Sequence, residues 1–225
     1  MQHAICRFYE SIEQLRYKCC RMFEVDDSLD IKFENFPCKP RCFRNCTKGV
    51  YFFFDTNELR DDGATHRVVR IGTHAIKHVE GKKQLWERLR EHKGIQAGGG
   101  DHTTSIFRDL VGKALNNRDN LNAPICEEAV SNYIRGLPFL VLKVDDKEHR
   151  KFVESRLISL LSNVNRGGTN PDCSDEPSDD WLGRHSDRPK VVDSGLWNNQ
   201  HTEDPYNRER VSCCLSLLRE YVNAM

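Results

Sequence analysis

The sequence predicts an α+β fold with a small three-stranded sheet, antiparallel or mixed, flanked by helices, and three observations lead there. Residues 49–54 and 67–71 are rich in β-branched and aromatic side chains and flank a polar turn carrying Asp61, Asp62 and Gly63, the pattern of a hairpin. A later short apolar run, residues 137–144, suits a central strand. Elsewhere apolar residues recur at helical spacing.

Taken in order, the elements begin with a helix over residues 12–23, apolar at Ile12, Leu15, Met22 and Phe23, and a connector bearing proline and cysteine. After the hairpin, residues 84–92 turn helical, with Leu85 and Leu89 four apart and facing a core. Gly98, Gly99 and Gly100 break the chain. Thr103 or Thr104 is then placed to cap a second helix whose stripe is Ile106, Phe107, Leu110, Val111, Ala114 and Leu115. Residues 147–162 form the third core helix, apolar at Val153, Leu157, Leu160 and Leu161. Beyond Asn163 the composition shifts to Asn, Gly, Asp, Ser and Pro, which predicts a loop-rich arm closed by a helix over residues 208–222. The organisation expected is an N-terminal helical extension at 1–46, a core at 47–166 and a C-terminal arm at 167–225.

A chain of 225 residues, 38% hydrophobic and 30% charged, can bury one good-sized core and is expected to form one compact unit. Its 34 basic and 34 acidic side chains balance, so contact with nucleic acid must come from local clustering. Between Glu80 and Arg118 there are eight Lys or Arg against five Asp or Glu, a local asymmetry of the sign that a DNA backbone attracts. No apolar run approaches the roughly 20 residues needed to span a bilayer, and residues 1–15 lack the apolar stretch of a secretory signal. A cytoplasmic protein is expected, with no membrane partner. Ten cysteines in a reducing compartment would be free thiols or metal ligands. Cys38, Cys42 and Cys46 have the only suggestive spacing, but they lack a CxxC knuckle and a fourth ligand, so unligated cysteines are expected.

Four polar residues fall where burial is unfavourable. Tyr51 lies mid-strand among Phe52, Phe53 and Phe54, as a sheet aromatic or as something more. Arg88 and His92, four apart, share one helix face. Glu154 lies beside the apolar arc of the third core helix, where an unpaired carboxylate would cost several kcal/mol without a cation or hydrogen-bond donors. An internal partner such as Arg88 and a divalent cation are the two ways to meet that need.

The order Gly49-Val50-Tyr51, Arg70-Ile71-Gly72, Arg88 with His92, then Glu154 resembles the GIY-YIG nuclease family, in sequence and in placement on strands and helices. The resemblance spans residues 48–165, about half the chain. It implies that Tyr51 activates or directly deprotonates the attacking water. It also implies that Arg88 neutralises charge on the pentavalent phosphate, and that His92 assists proton transfer or orients Tyr51. Glu154 would bind one Mg²⁺, with Mn²⁺ as a substitute, against the scissile phosphate. An unperturbed tyrosine, with a pKa of about 10, is a poor base, so a cation or base is needed nearby. This chain carries Arg70 where the family has the tyrosine of its second motif, so that tyrosine's role is either lost or filled by Arg70 or by His74, with His74 the candidate helper base.

His102 stands where some members carry a histidine before the second helix, with substrate contact and a loop or capping role both open. The family's late asparagine corresponds to Asn165 or Asn163. In the arm, Arg184, His185, Arg188 and Lys190 are available to grip phosphates, while Trp181 and Trp197 are expected to anchor loops. Type II restriction enzymes of the family carry similar flanking arms. The resemblance therefore implies a Mg²⁺-dependent endonuclease on double-stranded DNA, restriction- or defence-like, acting as a homodimer or by sequential nicking. A structure-specific repair nuclease and a non-catalytic nucleic-acid-binding module are the alternatives.

Overall fold

The run Val50-Tyr-Phe-Phe-Phe54 has no polar alternation because its strand is covered on both faces. In the computed structural model, which describes residues 3–36, 38–74, 84–95, 97–165 and 175–225, β1 (Gly49–Leu59) is the middle of a three-stranded sheet. Strand β2 (His66–Thr73) and strand β3 (Phe139–Lys143) flank it, both antiparallel, in the order β2-β1-β3. Glycine at the start of β1 is a steric requirement, since a Cβ on Gly49 would lie 2.1 Å from the Leu142 carbonyl oxygen.

Side chains on β1 alternate between the faces as strand geometry demands. Phe52 and Phe54 meet α1 (Ala4–Phe23), with the Phe8 and Phe52 ring centroids 6.1 Å apart and the Arg16 guanidinium over the Phe54 ring. Tyr51 and Phe53 face α2 (Leu85–Lys93) and α3 (Ile106–Arg118), through His92 and Phe107. α4 (Glu127–Gly136) packs against α2 and α3, and α5 (Lys147–Leu161) and α7 (Arg208–Asn223) pack together and against α1. Among the described residues, no helix is long and apolar enough to cross a membrane. The described cysteines are free thiols, with Cys46 buried, Cys42 partly buried and Cys38 exposed.

The α+β class, the hairpin and the presence of a third strand agree with the sequence reading, while several details differ: β3 lies at an edge of the sheet and not at its centre, the place taken by the all-apolar run of β1. α1 starts at Ala4, because Ile5 and Phe8 continue the buried stripe of Ile12 and Leu15 backwards. Thr103 and Thr104 do not cap α3. They lie in a 3-10 turn capped by Asp101, and it is the Ser105 hydroxyl that accepts from the Arg108 N–H at the start of α3. α4, which was not expected, is held by only three buried residues, Val130, Ser131 and Ile134.

The arm is irregular but closely tied to the sheet. Trp197 N donates to the Val69 carbonyl at 2.7 Å, and the Asn198 amide both accepts from Ile71 N (3.2 Å) and donates to Ile71 O (2.8 Å). These bonds occupy the outer edge of β2, which would otherwise present unpaired backbone groups. Trp181 and Trp197 are fully buried with their rings 5.3 Å apart, and both anchor the arm as expected. Arg67 and Glu58, paired at 2.9 Å inside the protein, reach it through Gly195 O and Ser178 N. Within the arm lies the short helix α6 (Pro189–Ser194).

Losing the Asn198 amide leaves two buried backbone groups of β2 without their partner. Asn198→Ala is expected to cost about 1–3 kcal/mol, read as a lower midpoint in urea unfolding. A change within about 0.5 kcal/mol would mean that the edge is held by other contacts.

Candidate active site

Tyr51 pairs with Gly72 across β1 and β2, and the hydroxyl end of its ring lies against that glycine. A Cβ on Gly72 would sit 2.2 Å from Tyr51 Oη and 2.4 Å from Cζ, so the glycine of the second motif makes room for the phenol of the first. Both Tyr51 and His92 are buried, and Tyr51 Oη lies 2.8 Å from His92 Nε2. His92 Nδ1 in turn lies 2.8 Å from Ser105 Oγ.

The helical spacing of Arg88 and His92 brings both to the phenol. Arg88 and Arg70 both lie close enough to Tyr51 for the phenol to bear on their charge. For Arg88, burial opposes the charge, but Tyr51 and Glu91 outweigh it and raise its pKa; Glu91 Oε2 is 2.7 Å from Arg88 Nη1. Burial is stronger around Arg70 and lowers its pKa despite Tyr51. Arg70 donates to the Trp197 carbonyl and stacks over the Phe107 ring, 4.6 Å from its centroid. His92 is held well below the ordinary histidine range, first by burial and then by Arg88, Arg70 and Arg108, which leaves the imidazole neutral at pH 7.

Glu154, on α5, reaches the end of β2, where its Oε1 accepts from Thr73 N at 3.2 Å. Burial raises its pKa, while His201, Arg70 and Arg88 pull it down. The carboxylate therefore shares its surroundings with both guanidiniums that lie beside Tyr51. No hydrogen bond holds its second oxygen among the described residues, so a hard cation with mostly water ligands fits the donor set there.

The remaining sequence candidates lie differently. His74 is buried, and burial together with Arg150 lowers its pKa to about 4; its other charged neighbours are Lys48 and Glu87. His102 binds Glu127, with Nδ1 2.7 Å from Oε1. Asp101, His102 and Glu127 bring one donor atom each within 4.8 Å of one another, a metal-like grouping whose Glu127 is already paired with Arg108. Asn163 is buried and donates to the Asp175 carbonyl, while the side chain of Asn165 lies outside the described residues. Arg184 donates to the Ser178 and Pro177 carbonyls, and Lys190 pairs with Glu203 at the surface. Arg188 lies 3.8 Å from Asp187.

Sequence reasoning missed Ser105, Arg108 and His201. Ser105 carries a helix-start signal hidden by the two threonines before it. Arg108 is fully buried and donates to the His92 carbonyl at 2.9 Å, supporting the C-terminal end of α2. His201, at a left-handed backbone position (φ 65°), bonds Asp204 and sits close enough to Glu154 to affect its charge.

The raised pKa of Glu154 makes a stability prediction. A carboxyl that binds its proton more tightly folded than unfolded costs stability as pH rises from about its ordinary value of 4.5 through the folded pKa. Without added metal, Glu154→Gln is therefore expected to be more stable than the parent at neutral pH, with the difference vanishing on acidification below that window. Unfolding midpoints measured against pH check it, and a variant less stable at pH 7 than at pH 4 relative to the parent contradicts it.

A family model described as "GIY-YIG domain" matches residues 2–224. No curated protein and no solved structure matches the chain. With the match covering almost its whole length and the sheet and helices in the arrangement that the motifs implied, the chain belongs to the GIY-YIG domain family, a family of nucleases.

Proposed function

We propose that this chain is a Mg²⁺-dependent endonuclease that hydrolyses phosphodiester bonds of double-stranded DNA, restriction- or defence-like, with Mn²⁺ as a substitute metal. The observation that carries the reading is the meeting of Tyr51, Arg70, Arg88, His92 and Glu154 from four separate elements. In it Tyr51 Oη receives the proton of the attacking water. Arg70, Arg88 and His92 surround that oxygen with positive charge and hydrogen-bond donors. Arg88, the more exposed of the two guanidiniums, also stabilises charge on the phosphate. Glu154 holds the metal, and a divalent cation bound there supplies charge against the scissile phosphate and the departing oxygen. Arg70 fills the place of the family's second tyrosine, since Tyr51 is among its electrostatic neighbours while the charged neighbours of His74 are Arg150, Lys48 and Glu87.

The arm has a part in substrate binding in this reading. Its Trp197 carbonyl accepts from Arg70 and its His201 neighbours Glu154, so the arm borders the same site. Arg184 and Lys190 would reach phosphates from there by exchanging their present partners, with His102 contacting substrate from the α2–α3 side. Cutting both strands with one site per chain calls for a homodimer or two successive nicks.

The test is incubation of the purified chain with Mg²⁺ on plasmid and phage DNA. Discrete bands are the expected outcome; cutting confined to branched or damaged DNA would favour a repair nuclease, and binding without cutting would favour a non-catalytic module. Tyr51→Phe is expected to lower kcat by about 10²–10⁴. Glu154→Ala is expected to abolish cleavage while circular dichroism remains that of the parent. Full cleavage by the alanine variant would remove Glu154 from the metal site.

A further inference from the structure

The arm crosses the neighbourhood of Glu154 on its way from the sheet to α5. At Trp197 and Asn198 it is bonded along the margin of β2, to Val69 and Ile71. By Thr202 it lies against α5 and the residue after it. The Thr202 carbonyl accepts from Ser162 Oγ at 2.6 Å, the Asp204 carbonyl from Ser159 Oγ at 3.0 Å, and the Asp204 carboxylate from Arg156 Nη2 at 2.9 Å. Residues 199–201 therefore pass from β2 to α5. Glu154 spans the same interval from the other side, reaching from α5 to Thr73 N at the end of β2. His201 stands beside it, and among the charges around Glu154 it exerts the largest pull on the carboxyl.

The imidazole is held in place. Its backbone takes the left-handed conformation (φ 65°), uncommon for a residue other than glycine, and its Nδ1 lies 2.9 Å from Asp204 Oδ2. A carboxylate paired with Arg156 has only lone pairs to offer, so Nδ1 is the donor and carries the proton. A neutral ring then keeps its lone pair on Nε2, which makes no hydrogen bond among the described residues. The second oxygen of Glu154 makes none either. A ring nitrogen and a carboxylate oxygen, both able to bind a metal, thus border one site without being bonded to each other. A histidine fixed by a carboxylate through one nitrogen, with the other nitrogen open, is the usual support of a metal-binding imidazole.

We infer that His201 is a second ligand of the divalent cation at Glu154, binding through Nε2 and positioned by Asp204. The inference rests on the metal reading proposed above. It leaves the other positions around the ion to water and phosphate oxygens. A nitrogen ligand suits a transition metal better than Mg²⁺, which prefers oxygen, so His201 tilts the site towards Mn²⁺. The arm then supplies part of the metal centre itself.

The test uses the full chain without DNA. Mn²⁺ is titrated in at less than one equivalent, binding is followed by loss of the free-ion electron paramagnetic resonance signal, and electron spin echo envelope modulation reads whether ¹⁴N is directly coordinated. The parent is expected to show ¹⁴N coupling. In His201→Asn, whose side chain tolerates left-handed backbone, the coupling is expected to vanish. Mn²⁺ affinity is expected to fall roughly ten- to a hundredfold, with Mg²⁺, measured by competition, weakened less. Circular dichroism checks that the variant folds; if it does not, His201→Gly takes its place and the parent spectrum still decides. Bound Mn²⁺ without ¹⁴N coupling in the parent, the outcome if His201 is an imidazolium paired with Glu154, overturns the inference, as does coupling that persists in the folded variant. Glu154→Gln separates the two readings. Loss of Mn²⁺ binding in it, together with a parent lacking ¹⁴N coupling, removes His201 and keeps the metal at Glu154. Undiminished Mn²⁺ binding in it removes the metal from Glu154, and this inference with it.

Discussion

An imidazole bonded to a phenol, two guanidiniums beside them and a carboxylate within reach of those guanidiniums are buried together, and the surrounding fold has to offset the loss of water around them. Arg70 and His92 are lowered in pKa by burial and Glu154 is raised by it, so each resists the charged form there. Desolvation of this kind costs free energy unless hydrogen bonds and opposite charges compensate. Each group is accordingly tied to backbone or to a neighbour: Arg70 to Trp197 O, Glu154 to Thr73 N, His92 to Ser105. The glycine opposite Tyr51 lets the ring lie at the centre of this arrangement.

The sheet was legible in the sequence because its strands are built from β-branched and aromatic residues around an Asp-Asp-Gly turn. Tyr51, Arg88, His92 and Glu154 were legible by their order on successive elements, which the fold brings together. Other parts carried no comparable signal. α4 has too short an apolar face to show a period. The start of α3 lay among three consecutive hydroxyl residues, and the turn capped by Asp101 selects Ser105 over the threonines.

The arm was the least legible segment, for a physical reason. It is held by the backbone of Trp197, the amide of Asn198 and isolated aromatic rings, none of which repeats along the sequence. Composition alone makes such a stretch look like solvent-exposed loop. Its buried contacts become visible only when the hairpin it lies on is in place, and through Arg70 and His201 they extend to the residues of the site.

Both outer strands of the sheet have neighbours other than strands. β2 is lined by Trp197 and Asn198; at β3, Phe139 N donates to the Ile31 carbonyl at 2.9 Å and Cys19 Sγ contacts the Val141 carbonyl. Self-association by adding a strand to either margin would have to displace these contacts. Any pairing of two copies of this chain would therefore run through helical or loop surfaces, leaving each sheet confined to its own subunit.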